Sequence, residues 1–183
     1  MDSQLPKFKV SLTSFFFLVF ILFSYPCFAG EVDLDMFGLA YHLHHRGAVR
    51  DAPLKLDEAG VLVFNPGLGL GYDFRDDRHT EGFSAIVHGG AFDNCHNHLF
   101  SFAGGGARYR KYFSKKNFWE ANVLGVLTYS DERVTPTPYA NVGLGHDYGK
   151  YAITYYLSYI PKNSGGGITS ATDMLFLSAA VSF

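Results

Sequence analysis

The sequence has 183 residues, enough for one domain, and its 15 basic and 17 acidic side chains give a formal net charge of −2. This balance excludes the basic surface that proteins use to bind nucleic acid, so we expect no nucleic-acid partner. The 20 glycines and the 17% aromatic residues, with no second long apolar segment after the N-terminal one, favour strands over helices.

The N-terminal segment has the pattern of a secretory signal peptide. Two lysines precede the mostly apolar residues 10–25, and Cys27 and Ala29 are small residues at the two positions that a signal peptidase reads. We therefore predict a signal peptide over residues 1–29 and a mature domain over residues 30–183. A transmembrane helix is the alternative, although the apolar run is short for one. A lipoprotein signal fits less well, because a proline precedes the cysteine.

Cleavage at this point would leave a mature chain with 13 basic and 16 acidic side chains, a formal charge of −3. Cys95 would be its single cysteine. An exported chain can form disulfides, but one cysteine cannot form an intramolecular bond.

The mature chain alternates apolar and polar residues with a period of two in eight segments. The predicted strands are residues 35–44, 64–74, 82–94, 98–112, 118–128, 138–148, 151–160 and 173–183. Short turns alternate with longer connections, and the last residue is a phenylalanine. The pattern predicts an all-β fold, an eight-stranded antiparallel transmembrane β-barrel of the outer-membrane type, monomeric, with both termini on the periplasmic side. A soluble eight-stranded barrel is the alternative.

The same alternation predicts which side chains point into the barrel. In the first strand it places Gly38, Ala40 and His42 inward and Phe37 outward. The predicted inward residues of the periplasmic half are polar or charged, and opposite charges on neighbouring strands can pair there: Asp73, Arg108, Arg110, Glu120, Asn122 and Asp147.

The predicted inward residues of the outer half are apolar or glycine: Gly38, Ala40, Gly67, Gly69, Gly90, Phe92, Phe100, Phe102, Gly104, Gly106, Leu124 and Val126. A lumen that is polar below and apolar above favours a pocket for an acyl chain, open at the outer leaflet. Ordinary packing of phenylalanine against glycine is the alternative.

A group of reactive side chains is predicted at the outer mouth. His42 lies at the outer end of the first strand, Asn94 at the outer end of the third, and Cys95 follows in the turn. A neutral imidazole can accept a proton from a hydroxyl or thiol, and an amide or carboxylate can orient groups or stabilise an oxyanion. These are the parts needed for acyl transfer. Asp93 is an alternative acidic partner, and an incidental cysteine is the alternative for Cys95.

The histidines near the mouth allow a different interpretation. His44, His45, His96 and His98 could bind a metal together with His42. Short histidine spacings in loops are weakly specific for metal, so we predict no metal site and no cofactor.

Several short pieces of the chain are similar to the outer-membrane lipid A palmitoyltransferase (PagP) family. They are Tyr41-His42, Asn65-Pro66-Gly67-Leu68-Gly69-Leu70-Gly71, Ala91-Phe92-Asp93-Asn94-Cys95, Gly104-Gly105-Gly106, Val134-Thr135-Pro136-Thr137-Pro138 and Tyr159-Ile160-Pro161. The resemblance runs over nearly the whole mature chain.

The resemblance implies an eight-stranded barrel that moves palmitate from a phospholipid donor to lipid A, or lipopolysaccharide, in the outer leaflet. It implies a catalytic role for His42 and an acyl-length-selecting role for Gly106. It also implies lateral lipid entry at Pro66 and Pro161, where a missing backbone donor weakens strand pairing. Where that family has an adjacent Asp-Ser pair, this sequence has Asn94-Cys95.

Together these observations predict an outer-membrane lipid acyltransferase. We expect His42, Asp93, Asn94 and Cys95 to carry the chemistry, and the acyl pocket to be lined by Phe102, Gly104, Gly106 and Leu124. The alternatives are a lipid A deacylase and a non-enzymatic structural or interaction barrel.

Overall fold

The computed structural model describes residues 30–43, 54–55, 60–93, 99–130, 133–160 and 174–183. Their strands are β1 (Glu31–Leu43), β2 (Leu54–Lys55), β3 (Gly60–Asp73), β4 (Gly82–Asp93), β5 (Leu99–Tyr112), β6 (Asn117–Ser130), β7 (Arg133–Asp147), β8 (Ala152–Ile160) and β9 (Met174–Ser182). The eight predicted segments are confirmed, but β1 and β3 each begin four residues earlier than predicted, and β7 begins five residues earlier. Residues 1–29 lie outside the described residues, so the signal peptide stays a prediction.

Eight of these strands form a closed antiparallel barrel. Neighbours in sequence pair in turn from β3 to β9, β9 pairs with β1, and β1 pairs with β3 to close the ring. The two-residue β2 adds only two further pairs to β3. The prediction of an eight-stranded antiparallel barrel is confirmed. No helix in the described residues is long and apolar enough to cross a membrane.

The outer surface of the barrel is apolar. Side chains at alternate positions point outward, among them Leu68, Phe83, Val123, Leu144 and Tyr155, each more than 60% exposed. A closed ladder with an apolar exterior is what hydrocarbon requires of a β-structure, because no backbone donor or acceptor then faces lipid without a partner. The barrel therefore spans a membrane.

A β-bulge in β1 reverses the predicted orientation of one phenylalanine. Phe37 pairs with Ser178 of β9 and Leu39 pairs with the adjacent Leu177, so Gly38 is an extra residue in β1. The register with β3 shifts at the same point. A bulge changes the phase of the alternation. The prediction that Phe37 faces outward was therefore wrong: its side chain is buried and faces the lumen.

Arginine side chains cross the periplasmic half of the lumen. Arg108 on β5 donates to Asp33 on β1 at 2.6 Å, to Asp73 on β3 at 3.3 Å and to Asn122 on β6 at 2.9 Å. Arg110 donates to Glu120 at 2.8 Å, as the predicted pairing of neighbouring strands requires, and to Glu31 at 2.8 Å.

Among the described residues, six carboxylates are buried and four arginines face them. Arg75, Arg78, Arg108 and Arg110 contact Glu31, Asp33, Asp73 and Glu120. The other two carboxylates each face a histidine: Asp35 lies 2.5 Å from His88, and Asp147 lies 3.0 Å from His79. The lower lumen is thus filled with paired charges, as buried charges require.

Replacing Arg110 by methionine should strongly destabilise the barrel. The substitution leaves Glu31 and Glu120 buried with one partner fewer, and breaking a buried pair costs about 3–5 kcal/mol. Urea unfolding in lipid vesicles, followed by the fluorescence of Trp119, the single tryptophan of the chain, measures this change.

The matched control for this prediction is Lys115→Met, which removes a positive charge from an exposed turn and should leave the unfolding midpoint unchanged. An Arg110→Met barrel as stable as the Lys115→Met barrel would contradict the assignment of this network as structural.

Candidate functional site

The outer half of the lumen holds a cluster of five phenylalanines. Its members are Phe37, Phe92, Phe100, Phe102 and Phe176. Phe37 and Phe92 are central: their ring centroids lie 5.5 Å apart, and each lies within 6 Å of the Phe176 ring. Such tilted rings at 4.5–7 Å are favourable aromatic contacts. The cluster encloses about 30 Å³ of cavity, which is roughly the space of one or two water molecules.

Two glycines make room for the inward ring of Phe37. A Cβ atom on Gly69 would lie 3.1 Å from this ring, and one on Gly90 would lie 2.9 Å from it. Both positions therefore need to lack a side chain while the ring points inward. The bulge at Gly38 and the glycines of β3 and β4 together place an aromatic ring at the centre of the lumen.

The described pairing of β3 with β4 ends at the pair Gly67 and Phe92. Asp93, the next residue of β4, pairs with Leu99 of β5 but has no described partner in β3. The residue of β3 at the corresponding position is Pro66. Proline has no N–H to donate, so a ladder readily ends beside it. The described β3–β4 ladder therefore ends beside Pro66, one residue before the last described residue of β4, and we call this end of the ladder the β3–β4 seam.

A second seam lies between β7 and β8. Their described ladder stops at Ala140 and Tyr159, although the next residue of β8, Ile160, still pairs with Met174 of β9. On the other side, β7 remains paired with β6 far beyond Ala140, through Pro138 and Pro136. Both of these prolines are exposed on the outer surface. We call this end of the described ladder the β7–β8 seam, and Pro138 lies two residues from Ala140.

The two seams face opposite sides of the barrel. Four strands, β4 to β7, separate them in one direction, and β8, β9, β1 and β3 separate them in the other. Both seams lie in the outer half of the barrel, beside the phenylalanine cluster. A lipid chain entering at either seam would reach the same apolar interior.

The boundary between the apolar and the charged halves of the lumen is a polar floor. His88 on β4 lies 2.5 Å from Asp35 on β1 and makes an edge contact with the ring of Phe102 at 5.3 Å. Nearby, the Tyr139 hydroxyl lies 2.7 Å from Ser158 and accepts from Asn141 at 3.2 Å. The sequence analysis did not predict the pair of His88 and Asp35, although His88 lies two residues from Gly90 and therefore shares its predicted inward orientation.

The predicted catalytic group lies mostly outside the described residues. The backbone of His42 pairs with Val61 and Met174 at the outer end of β1, and Asp93 ends β4. Asn94 and Cys95 lie outside the described residues. The roles of these four residues stay predictions, as does the alternative metal interpretation, because His44, His45, His96 and His98 also lie outside.

The predicted acyl-pocket residues occupy two different environments. Phe102 lines the aromatic cavity, and Leu124 is buried just below it. Gly104 and Gly106 lie against the backbone of β6: a Cβ on Gly104 would overlap the carbonyl oxygen of Gly125, and one on Gly106 would overlap that of Val123. The two glycines therefore allow a close approach of β5 and β6.

The predicted lateral-access residues are also split. Pro66 stands at the β3–β4 seam and is exposed on the outer surface. Pro161 lies outside the described residues, immediately after the last residue of β8.

Comparison with solved structures returns other small barrels. They include the attachment invasion locus protein Ail of Yersinia pestis (12% identity, 84% of this chain and 99% of that chain, TM-score 0.45). The N-terminal β-barrel domain of Pseudomonas aeruginosa OprF (13% identity, 84% and 97%, TM-score 0.44) and Neisserial surface protein A (14% identity, 84% and 96%, TM-score 0.48) match similarly. No family model matches the chain. No curated protein matches it either.

These comparisons correct the resemblance drawn from the sequence. The structures returned are eight-stranded outer-membrane barrels of a different family from the lipid A palmitoyltransferases. The assignment to the palmitoyltransferase family was therefore wrong. The fold and the location stand: the chain is an eight-stranded β-barrel of the outer membrane.

Replacing Gly104 by alanine should destabilise the barrel, because its Cβ would overlap backbone atoms of β6 that cannot move without shifting the strand. We expect a loss on the order of 1–3 kcal/mol in urea unfolding from lipid vesicles. Gly125, the matched control on the neighbouring strand, has open space around its Cβ position. Gly125→Ala should be neutral or slightly stabilising. Equal losses in the two variants would refute this account of the β5–β6 contact.

Proposed function

We propose that this protein is an outer-membrane acyltransferase, which moves a fatty acyl chain from a phospholipid to lipid A or a related lipid of the outer leaflet. One observation supports the proposal: the described pairing of β3 with β4 and of β7 with β8 ends near prolines, on opposite sides of the outer half and next to an apolar lumen. Two seams provide separate routes for a donor and an acceptor.

The reaction needs one base near the outer end of the lumen. His42 would take the proton of the acceptor hydroxyl while its oxygen attacks the ester carbonyl carbon of the donor. The carbon–oxygen bond to the glycerol then breaks, and the leaving oxygen takes the proton from His42, which releases a lysophospholipid. Asp93 or Asn94 would orient His42 or stabilise the oxyanion. In an alternative route, the thiol of Cys95 accepts the acyl chain first.

A non-enzymatic structural or interaction barrel is the second candidate. The observation in its favour is the packing of the lumen: the aromatic cavity of about 30 Å³ is far smaller than an acyl chain, so the five rings would have to rotate to admit one. In this second case the barrel would serve as a stable support for the outer connections.

Mass spectrometry of lipid A and phospholipids from cells that express the protein separates these functions. An extra acyl chain on lipid A, together with new lysophospholipid, would support the transferase. Lipid A that is lighter by one acyl chain would instead indicate a deacylase. Unchanged lipids in cells with folded, inserted barrel would favour the non-enzymatic support.

Replacing His42 by alanine should abolish the added acyl chain, because no base would remain to take the acceptor proton. The loss expected from removing such a base is roughly 10²–10⁴-fold in rate. The control is His79→Ala at the exposed periplasmic turn, which should retain activity. Full activity in a folded His42→Ala barrel would overturn the assignment of His42 as the base.

A further inference from the structure

Asn65 is a buried amide at the edge of the β3–β4 seam. It precedes Pro66 and lies two residues from Gly67, the last residue of β3 that pairs with β4. Two residues along a strand span about 6.6 Å, so Asn65 lies this distance from Gly67, in the direction of the outer end of the barrel. The neighbours Phe64 and Pro66 are exposed on the outer surface, whereas Asn65 is 2% exposed. Its side chain therefore points into the lumen beside the β3–β4 seam.

The Oδ1 atom of Asn65 has no hydrogen-bond partner. Other inward asparagines of the described barrel are paired. Asn122 accepts from Arg108 at 2.9 Å and donates to Asn141 at 2.7 Å, and Asn141 also donates to Tyr139 at 3.2 Å. A buried acceptor without a donor is costly to keep. An apolar side chain would fill this position at a lower cost in free energy of folding. We therefore infer that the amide has a hydrogen-bond donor as its partner and that this donor belongs to another molecule.

We propose that Asn65 is a specificity-determining residue, which accepts a hydrogen bond from a hydroxyl or amide N–H on the acyl portion of the lipid that enters at the β3–β4 seam. This inference rests on the proposed function, since it needs a lipid in the lumen. It adds the chemical class of that lipid: an acyl chain with a donor group close to its carboxyl end, such as a 3-hydroxyacyl chain.

The chemistry of the site distinguishes among parts of a lipid. The free group is a neutral acceptor, and phosphate and ester groups offer acceptors only, so neither can pair with it. The last described pair beside Asn65 leads to apolar residues: Gly67 contacts Phe92, and Phe92 packs on Phe37 and Phe100. A plain acyl chain would fit this wall but leave Oδ1 without a partner. A hydroxylated acyl chain would both pack against the apolar wall and donate a hydrogen bond to Oδ1 of Asn65.

Native mass spectrometry of the purified barrel in detergent micelles tests the proposal. The probes are two lysophosphatidylethanolamines with the same headgroup, one carrying a 3-hydroxytetradecanoyl chain and the other a tetradecanoyl chain, at equal concentration. We expect the unchanged protein to bind the hydroxylated probe in about tenfold excess, equivalent to about 1.4 kcal/mol. Asn65→Leu should bind both probes equally.

Asn122→Leu is the matched control, since it removes a buried and fully bonded asparagine of the same lumen. It should lower the urea midpoint and keep the tenfold preference, whereas Asn65→Leu should keep the midpoint and lose the preference. A purely structural asparagine at position 65 would give the opposite result. If Asn65→Leu does not insert, Asn65→Ala removes the same acceptor with a smaller side chain.

The outcomes separate the two proposals. If the unchanged protein binds both probes without preference, or if Asn65→Leu retains the preference, the role of Asn65 is wrong while lipid binding in the lumen stands. If the unchanged protein binds neither probe, the proposed lipid-handling function fails, and the inference about Asn65 fails with it.

Discussion

The pairing of β1 with β3 is the constraint on which the rest of the barrel depends. In hydrocarbon, every backbone donor and acceptor needs a partner, so the sheet must close on itself and leave no free strand edge. The register of β1 shifts at Gly38 against both neighbouring strands, and Pro66, which has no N–H to donate, lies opposite this shift. The bulge in turn points Phe37 into the lumen, where it organises the aromatic cluster.

The two halves of the barrel are held together in different ways. In the periplasmic half, Arg108 and Arg110 on β5 bind side chains of β1, β3 and β6, so these charge pairs connect strands that are not neighbours in the sheet. In the outer half, aromatic packing takes the place of these charge pairs, and the described ladders of β3 with β4 and of β7 with β8 end there. The charge pairs of the periplasmic half thus hold together the strands beneath the region where the proposed chemistry would take place.

Much of this fold could be predicted from the sequence, because a strand between lipid and lumen must alternate. The alternation correctly placed Arg110 and Glu120 inward on neighbouring strands. It failed at Phe37, because a bulge changes the phase without a mark in the local pattern. It also missed Glu31 and Asp33, because acidic residues beside a predicted cleavage site looked like the start of the mature chain rather than a strand.

Short glycine and proline pieces, such as Pro66-Gly67, reflect the demands of a small barrel and do not identify a family. The pairing state of Asn65 depends on three-dimensional neighbours, so no sequence pattern could reveal it.

The paired charges of the lower lumen also bear on the permeability of the membrane that contains the barrel. Arg108 and Arg110 occupy the axis of the lumen, and their partners come from opposite walls. An ion or sugar would have to break several of these pairs at once to pass. The charge pairs of the lower lumen therefore act as a plug that opposes the passage of solutes through the described barrel.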